Sequence, residues 1–202
     1  MSRFEVQSIP PQRRLSIEKK APIKSSAPVK IDRLSLVSVT YYGFDSWESQ
    51  GELIVLQELA ESVLELFVEL HTIKFPIGKI ATADEYGGDD VACMEANVSS
   101  AFNSRKVMGT TKWSSHAYGA AIDINPLQNP YVPHPNQAHP EVFPSEGQTY
   151  LNRQEQRPGM VESIVPIFEK FGFDDWGGNW SHALDYHHFQ VNWERIRELV
   201  QE

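Results

Sequence analysis

The chain has a single cysteine, Cys93, among 202 residues. One thiol excludes an internal disulfide and any multi-cysteine zinc site, and it leaves the compartment open. Long apolar runs are also missing, so no transmembrane helix is expected. Basic residues are scarce beyond the N-terminus. Residues 1–33 hold eight Lys/Arg against three Asp/Glu, whereas the rest hold ten against twenty-four, so a net +5 and a net −14 make up the overall −9. An acidic domain of this kind lacks the basic surface that nucleic-acid binding requires. The basic stretch has no apolar core of a secretory signal peptide, so no export signal is visible. With "KKAPIKSSAPVK" at its centre it reads as a flexible, solvated extension, whose alternative use is contact with an anionic polymer or lipid surface.

What remains, residues 34–202, has room for one domain with its own core, and 41% apolar residues with five tryptophans suit a packed protein. "LSLVSVTYY" is β-branched and aromatic and predicts a strand from Leu34. "ELIVLQELAESVLELFVELHTI" places Leu53, Leu56, Ala60, Val63, Phe67 and Leu70 at helical spacing, which predicts one long amphipathic helix. A second helix is expected over "PGMVESIVPIFEKFGF", with Gly172 ending it and Pro166 a point where it kinks or breaks. "NWERIRELVQE" predicts a short terminal helix, and residues 126–157 a long polar loop facing the substrate. Strands and helices that do not alternate regularly point to an α+β domain: a small antiparallel sheet against two or three helices.

The chemistry concentrates in two places. In "SSHAYGAAIDINP", a strand from Gly119 to Ile124 puts Ala120, Ile122 and Ile124 on one apolar face. The opposite face carries Gly119, Ala121 and then Asp123, so it is cleared of bulk and ends in a carboxylate. A buried carboxylate must be solvated, paired or bound to a metal, and a turn at Ala117–Gly119 would fold His116 back over that face. Far downstream, "WGGNWSHALDYHHFQVNW" gathers three of seven histidines beside Asp185. Catalytic zinc takes three ligands from His and Asp/Glu and keeps a fourth position open. His116 and Asp123 supply two of them. The downstream cluster supplies an imidazole and a spare carboxylate. In a straight strand Asp185 and His187 would share a face, whereas a bend after Asp185 would bring His188 to the site, so periodicity leaves both histidines open.

The pattern Ser114-x-His116-x-x-Gly119-x-Ala121-x-Asp123, followed by Asp185-x-x-His188-Phe189, resembles the signature of zinc D-alanyl-D-alanine carboxypeptidases and L-alanyl-D-glutamate endopeptidases, relatives of lysostaphin-type peptidases and the hedgehog zinc domain. "NVSSAFNSRKVMGT", "NPYV", "RPGM" and "GFDDWGGNW" extend the likeness to roughly residues 35–192. The resemblance implies Zn2+ held by His116, Asp123 and His188, with Asp185 as general base. It also implies Arg105 as a cation for the oxyanion or for a substrate carboxylate, since guanidinium binds carboxylates in a fork. Ser114 and Trp176 are candidate substrate contacts, and Trp180 a second candidate for the same wall. Asp89 and Asp90 are read as amine contacts or idle loop residues. Aspartate rather than glutamate at position 185 tilts the reading toward an endopeptidase. Many relatives carry proline where this chain has His187, which is read as a supporting residue. The partner implied is the stem peptide of bacterial peptidoglycan, met in the cell wall or periplasm. A carboxypeptidase or dipeptidase on soluble peptides, and a non-catalytic zinc-containing wall-binding module, are the alternatives. Oligomeric state is not legible.

Overall fold

The computed structural model describes residues 2–201, and its first elements already depart from the expected flexible extension. Strand β1 (Glu5–Ser8) and helix α1 (Pro11–Lys20) precede strand β2 (Leu34–Tyr42), and β1 pairs with β2 in antiparallel register from Glu5↔Ser38 to Ser8↔Ser35. Composition concealed this because few apolar residues do the anchoring. Ile9 and Ile17 are buried in the main core, and Val6 packs on it. Polar contacts complete the attachment. Arg13 forms an ion pair with buried Asp84 at 2.8 Å and hydrogen bonds to Thr82, and the Lys24 amide donates to Ser104 Oγ.

The predicted strand at Leu34 is β2. The predicted long helix is divided. Leu53 and Leu56 lie in strand β3 (Glu48–Leu56), and helix α2 (Ala60–Thr72) starts only after a 3-10 turn at Gln57–Leu59. The spacing misled because Leu53–Leu56 is buried at every position, and such a run fits a doubly covered strand as well as a helix. Nine-residue pairing with β2 decides between them. Val63, Leu66, Phe67 and Leu70 of α2 then close the apolar core.

Shorter elements follow: β4 (Lys79–Ile80), α3 (Asp90–Glu95), β5 (Val98–Ser99), β6 (Ala121–Asp123) and β7 (Tyr131–Val132). The loop 126–157 therefore contains a strand, and a 3-10 helix at Ser145–Tyr150 as well. The second predicted helix shrinks to α4 (Val165–Lys170), with Pro166 in its first turn and Gly172 just beyond its end. Strands β8 (Asp175–Trp176), β9 (Leu184–Asp185) and β10 (His188–Gln190) lead to α5 (Trp193–Gln201), which buries Ile196 and Leu199. The architecture is α+β, with a three-stranded antiparallel sheet ordered β6-β10-β8 beside the larger β1-β2-β3 sheet. Phe189 of β10 stacks on Phe168 of α4 at 3.9 Å and shares the core with both sheets. None of the described helices is long and apolar enough to cross a membrane.

Candidate metal centre

The expected strand Gly119–Ile124 shortens to β6, Ala121–Asp123, because Gly119 ends the preceding turn, but the alternation around Asp123 holds. Ala120, Ile122 and Ile124 all enter the apolar core, which turns Asp123 to the other face. The chain reaches that strand through a 3-10 turn, Ser115–Tyr118, capped by Ser114, whose Oγ accepts from the His116 amide. Gly119 ends the turn at φ +66°, and a Cβ there would lie 2.5 Å from the Leu56 amide nitrogen, so only glycine fits. His188 is the cross-strand partner of Asp123. A turn at Tyr186-His187 separates β9 from β10. This bend brings His188, and not His187, into a group with His116 and Asp123 that could hold a metal ion.

His116, Asp123 and His188 are each buried, and each offers one ligand atom to a common point. His116 Nε2 lies 3.2 Å from Asp123 Oδ1 and 3.1 Å from His188 Nδ1, and that nitrogen is 3.1 Å from Asp123 Oδ1. A tetrahedron with bonds of about 2.0 Å has edges of about 3.3 Å, so the triangle has the size zinc requires. The orientation agrees as well. His116 Nδ1 donates to the Ala101 carbonyl, which leaves Nε2 bare. Three lone pairs converging in a buried space repel one another unless a cation lies between them. Burial would raise the Asp123 carboxyl, but in the metal-free chain an imidazolium at His116 and another at His187 outweigh it and hold Asp123 well below the usual carboxylate range. A bound cation would take the place of the His116 Nε2 proton.

His187 stands outside this triangle. Its Nδ1 donates to the Asn129 carbonyl at 2.7 Å, and its Nε2 sits 3.0 Å from Asp185 Oδ1 and 4.0 Å from Asp123 Oδ2. Burial opposes its charge, but the Asp185 and Asp123 carboxylates prevail and raise its pKa. Asp185 arrives on β9, paired with Tyr131 of β7, and Gly177 permits its close approach: a Cβ on Gly177 would lie 2.4 Å from the Asp185 carbonyl. His187 is near the buried Asp185 Oδ1 in charge, but among the described residues no donor meets that oxygen with hydrogen-bond geometry.

A cavity of about 550 Å3 reaches the edge of this centre, where Asp185, His187 and His188 line it. Its walls are largely apolar, with Met94, Met108, Tyr131, Phe143, Trp180 and Trp193 among them. Ser114 and Arg105 line it too, but Arg105 is already engaged: Nε and Nη2 meet the two oxygens of Asp90 at 2.9 and 2.7 Å. Asp89 caps α3 instead of facing the cavity. Trp176 is displaced from the expected wall. It packs on the core beside Phe189, its indole N–H donates to the Tyr186 carbonyl, and Trp180 takes the wall position. Strand alternation in "DWGGNW" could not assign the two tryptophans, because the intervening Gly177–Asn179 is a 3-10 turn. His182, Gln190 and Asp175 also line the cavity; they lie within the stretches "GFDDWGGNW" and "WGGNWSHALDYHHFQVNW", but the sequence gives none of them a role.

Residues 108–191 match the model of a family described as D-alanyl-D-alanine carboxypeptidase. The match covers less than half of the chain but contains the whole triangle and Asp185. Over this segment the chain resembles that family of zinc peptidases, as the two motifs imply, and the buried donors fit the metal. No curated protein and no solved structure matches the chain.

Proposed function

We propose that this protein is a zinc peptidase that hydrolyses the stem peptides of bacterial peptidoglycan, at an L-Ala–D-Glu or a D-Ala-containing bond. The observation that carries the reading is the 3.1–3.2 Å triangle of His116, Asp123 and His188 with Asp185 beside it on the wall of one cavity. Zinc, when bound, supplies Lewis-acid polarisation and water activation near neutral pH. Asp185, on the cavity wall, is the carboxylate that on this reading takes a proton from the attacking water and returns it to the leaving amine. Ser114 and Trp180 line the cavity, which supports them as contacts to the peptide, and apolar walls would shed water from it.

Arg105 favours an endopeptidase. A carboxypeptidase needs a free cation for the terminal carboxylate of its substrate, and Arg105 is the only Lys or Arg among the described residues lining the cavity. With Asp90 filling its fork, that cation is already neutralised. Arg105 acts, on this reading, by orienting an internal peptide carbonyl with its remaining N–H groups.

Incubation of the zinc-loaded protein with purified muropeptides, followed by mass spectrometry, should give fragments cut inside the stem peptide. Release of D-alanine alone would instead assign a carboxypeptidase. Asp185→Ala should lower turnover about 10²–10⁴-fold while the protein keeps its zinc. Hydrolysis at the wild-type rate would remove Asp185 from the mechanism.

A further inference from the structure

His116 has its tautomer set by a backbone carbonyl. His188 has no such partner, yet it too must present one chosen nitrogen. A line of hydrogen bonds leads away from its other nitrogen. His188 Nε2 lies 3.0 Å from Gln190 Oε1, Gln190 Nε2 donates to Asp175 Oδ2 at 2.7 Å, and Trp180 Nε1 donates to Asp175 Oδ1 at 2.7 Å. Gln190 is buried at 4% exposure, so its amide has few other partners.

The direction of this line is fixed from its outer end. An indole N–H only donates, and an ionised carboxylate only accepts. Gln190 must therefore turn its NH₂ toward Asp175, which turns its carbonyl oxygen toward His188. That oxygen accepts, so His188 carries its proton on Nε2. A neutral imidazole has one proton, and Nδ1 is left bare, facing His116 Nε2 and Asp123 Oδ1. Ser115 Oγ also lies 3.3 Å from Nε2, but a hydroxyl donates or accepts equally well and sets no direction.

We propose that Asp175, relayed by Gln190 and anchored by Trp180, is a positioning residue that decides which nitrogen of His188 binds the metal. The proposal rests on the zinc reading above. It assigns a role to a carboxylate that contacts no ligand atom directly, and it explains why a glutamine is buried beside a metal centre.

The isosteric change Asp175→Asn is the test, because it should reverse the whole line. Trp180 still donates, so the new amide turns its oxygen to the indole and its NH₂ to Gln190. Gln190 then rotates, presents its own NH₂ to His188 Nε2, and drives the proton onto Nδ1. Zinc affinity, measured by chelator competition, should fall about 10–100-fold, the usual cost of losing a hydrogen-bonded partner of a ligand. The double variant Asp175→Asn/Gln190→Glu restores the direction, because the introduced carboxylate accepts both from the introduced amide and from His188. It should recover most of the lost affinity. Recovery supports the relay. Unchanged affinity in Asp175→Asn overturns it, as does a double variant that binds no better than the single one. Nitrogen-15 spectra of the zinc-loaded wild type should show a proton on His188 Nε2, and a proton on Nδ1 would also overturn the relay. Failure of the wild-type chain to bind zinc at all would refute the metal reading itself.

Discussion

Two sheets share one core in this protein, and they are built on opposite principles. The β1-β2-β3 sheet pairs β2 with β3 over nine residues and holds Val37, Val39, Leu53, Val55 and Leu56 at 0% exposure. Burial of that apolar surface holds it together, at roughly 25 cal/mol per Å2 removed from water. The β6-β10-β8 sheet has strands of only two or three residues, too short to be stable alone. Its apolar face, Ile122 and Phe189, leans on the core made by the first sheet. Its other face is buried and polar: Asp123 and His188 converge there with His116, and Gln190 takes up the far nitrogen of His188. One sheet is a scaffold, and the other is an instrument mounted on it. The family match falls on the second, residues 108–191, and leaves the scaffold sheet unmatched.

The junction is the place to break this division. Phe189→Ala removes the fully buried ring that stacks on Phe168 and should cost about 3–5 kcal/mol. Urea unfolding should show a lower midpoint, and zinc affinity should drop with it, because Phe189 adjoins His188 on the same strand. A change confined to the scaffold should separate the two properties. Arg13→Met leaves Asp84, at 5% exposure, without its charged partner and should destabilise the chain by about 3 kcal/mol. Zinc stoichiometry should stay the same, since no ligand is touched. Loss of zinc in this variant would show that the scaffold also shapes the metal site. The smallest effect concerns Cys93 in α3. Burial, reinforced by the nearby Asp90 carboxylate, pushes its thiol up to about 12, so it stays protonated at neutral pH. Alkylation of the native chain should be slow from pH 7 to 9 and fast only in denaturant. Rapid labelling of the native chain would show that α3 opens easily.

The two regions also differed in how well the sequence disclosed them. The metal centre was legible mainly through the resemblance of its two motifs to a zinc peptidase family; the residues alone offered a histidine, a carboxylate and a downstream histidine cluster without deciding that they meet. Strand parity could not choose between His187 and His188, because the deciding feature is a two-residue turn at Tyr186-His187. The scaffold was harder. Leu53 and Leu56 fit helical spacing and became strand only through pairing with β2, a contact between distant segments. The N-terminal segment looked solvated because its attachments, Arg13 to Asp84 and β1 to β2, are also long-range. Trp176 was placed in the cleft because periodicity says nothing about a 3-10 turn, and packing on Phe189 draws it into the core.

Zinc content of two neighbouring variants tests the account most directly. Elemental analysis of the purified chain should give one zinc per molecule in the wild type and in His187→Ala, and none in His188→Ala. Zinc retained by His188→Ala and lost from His187→Ala would contradict the triangle on which the whole reading stands.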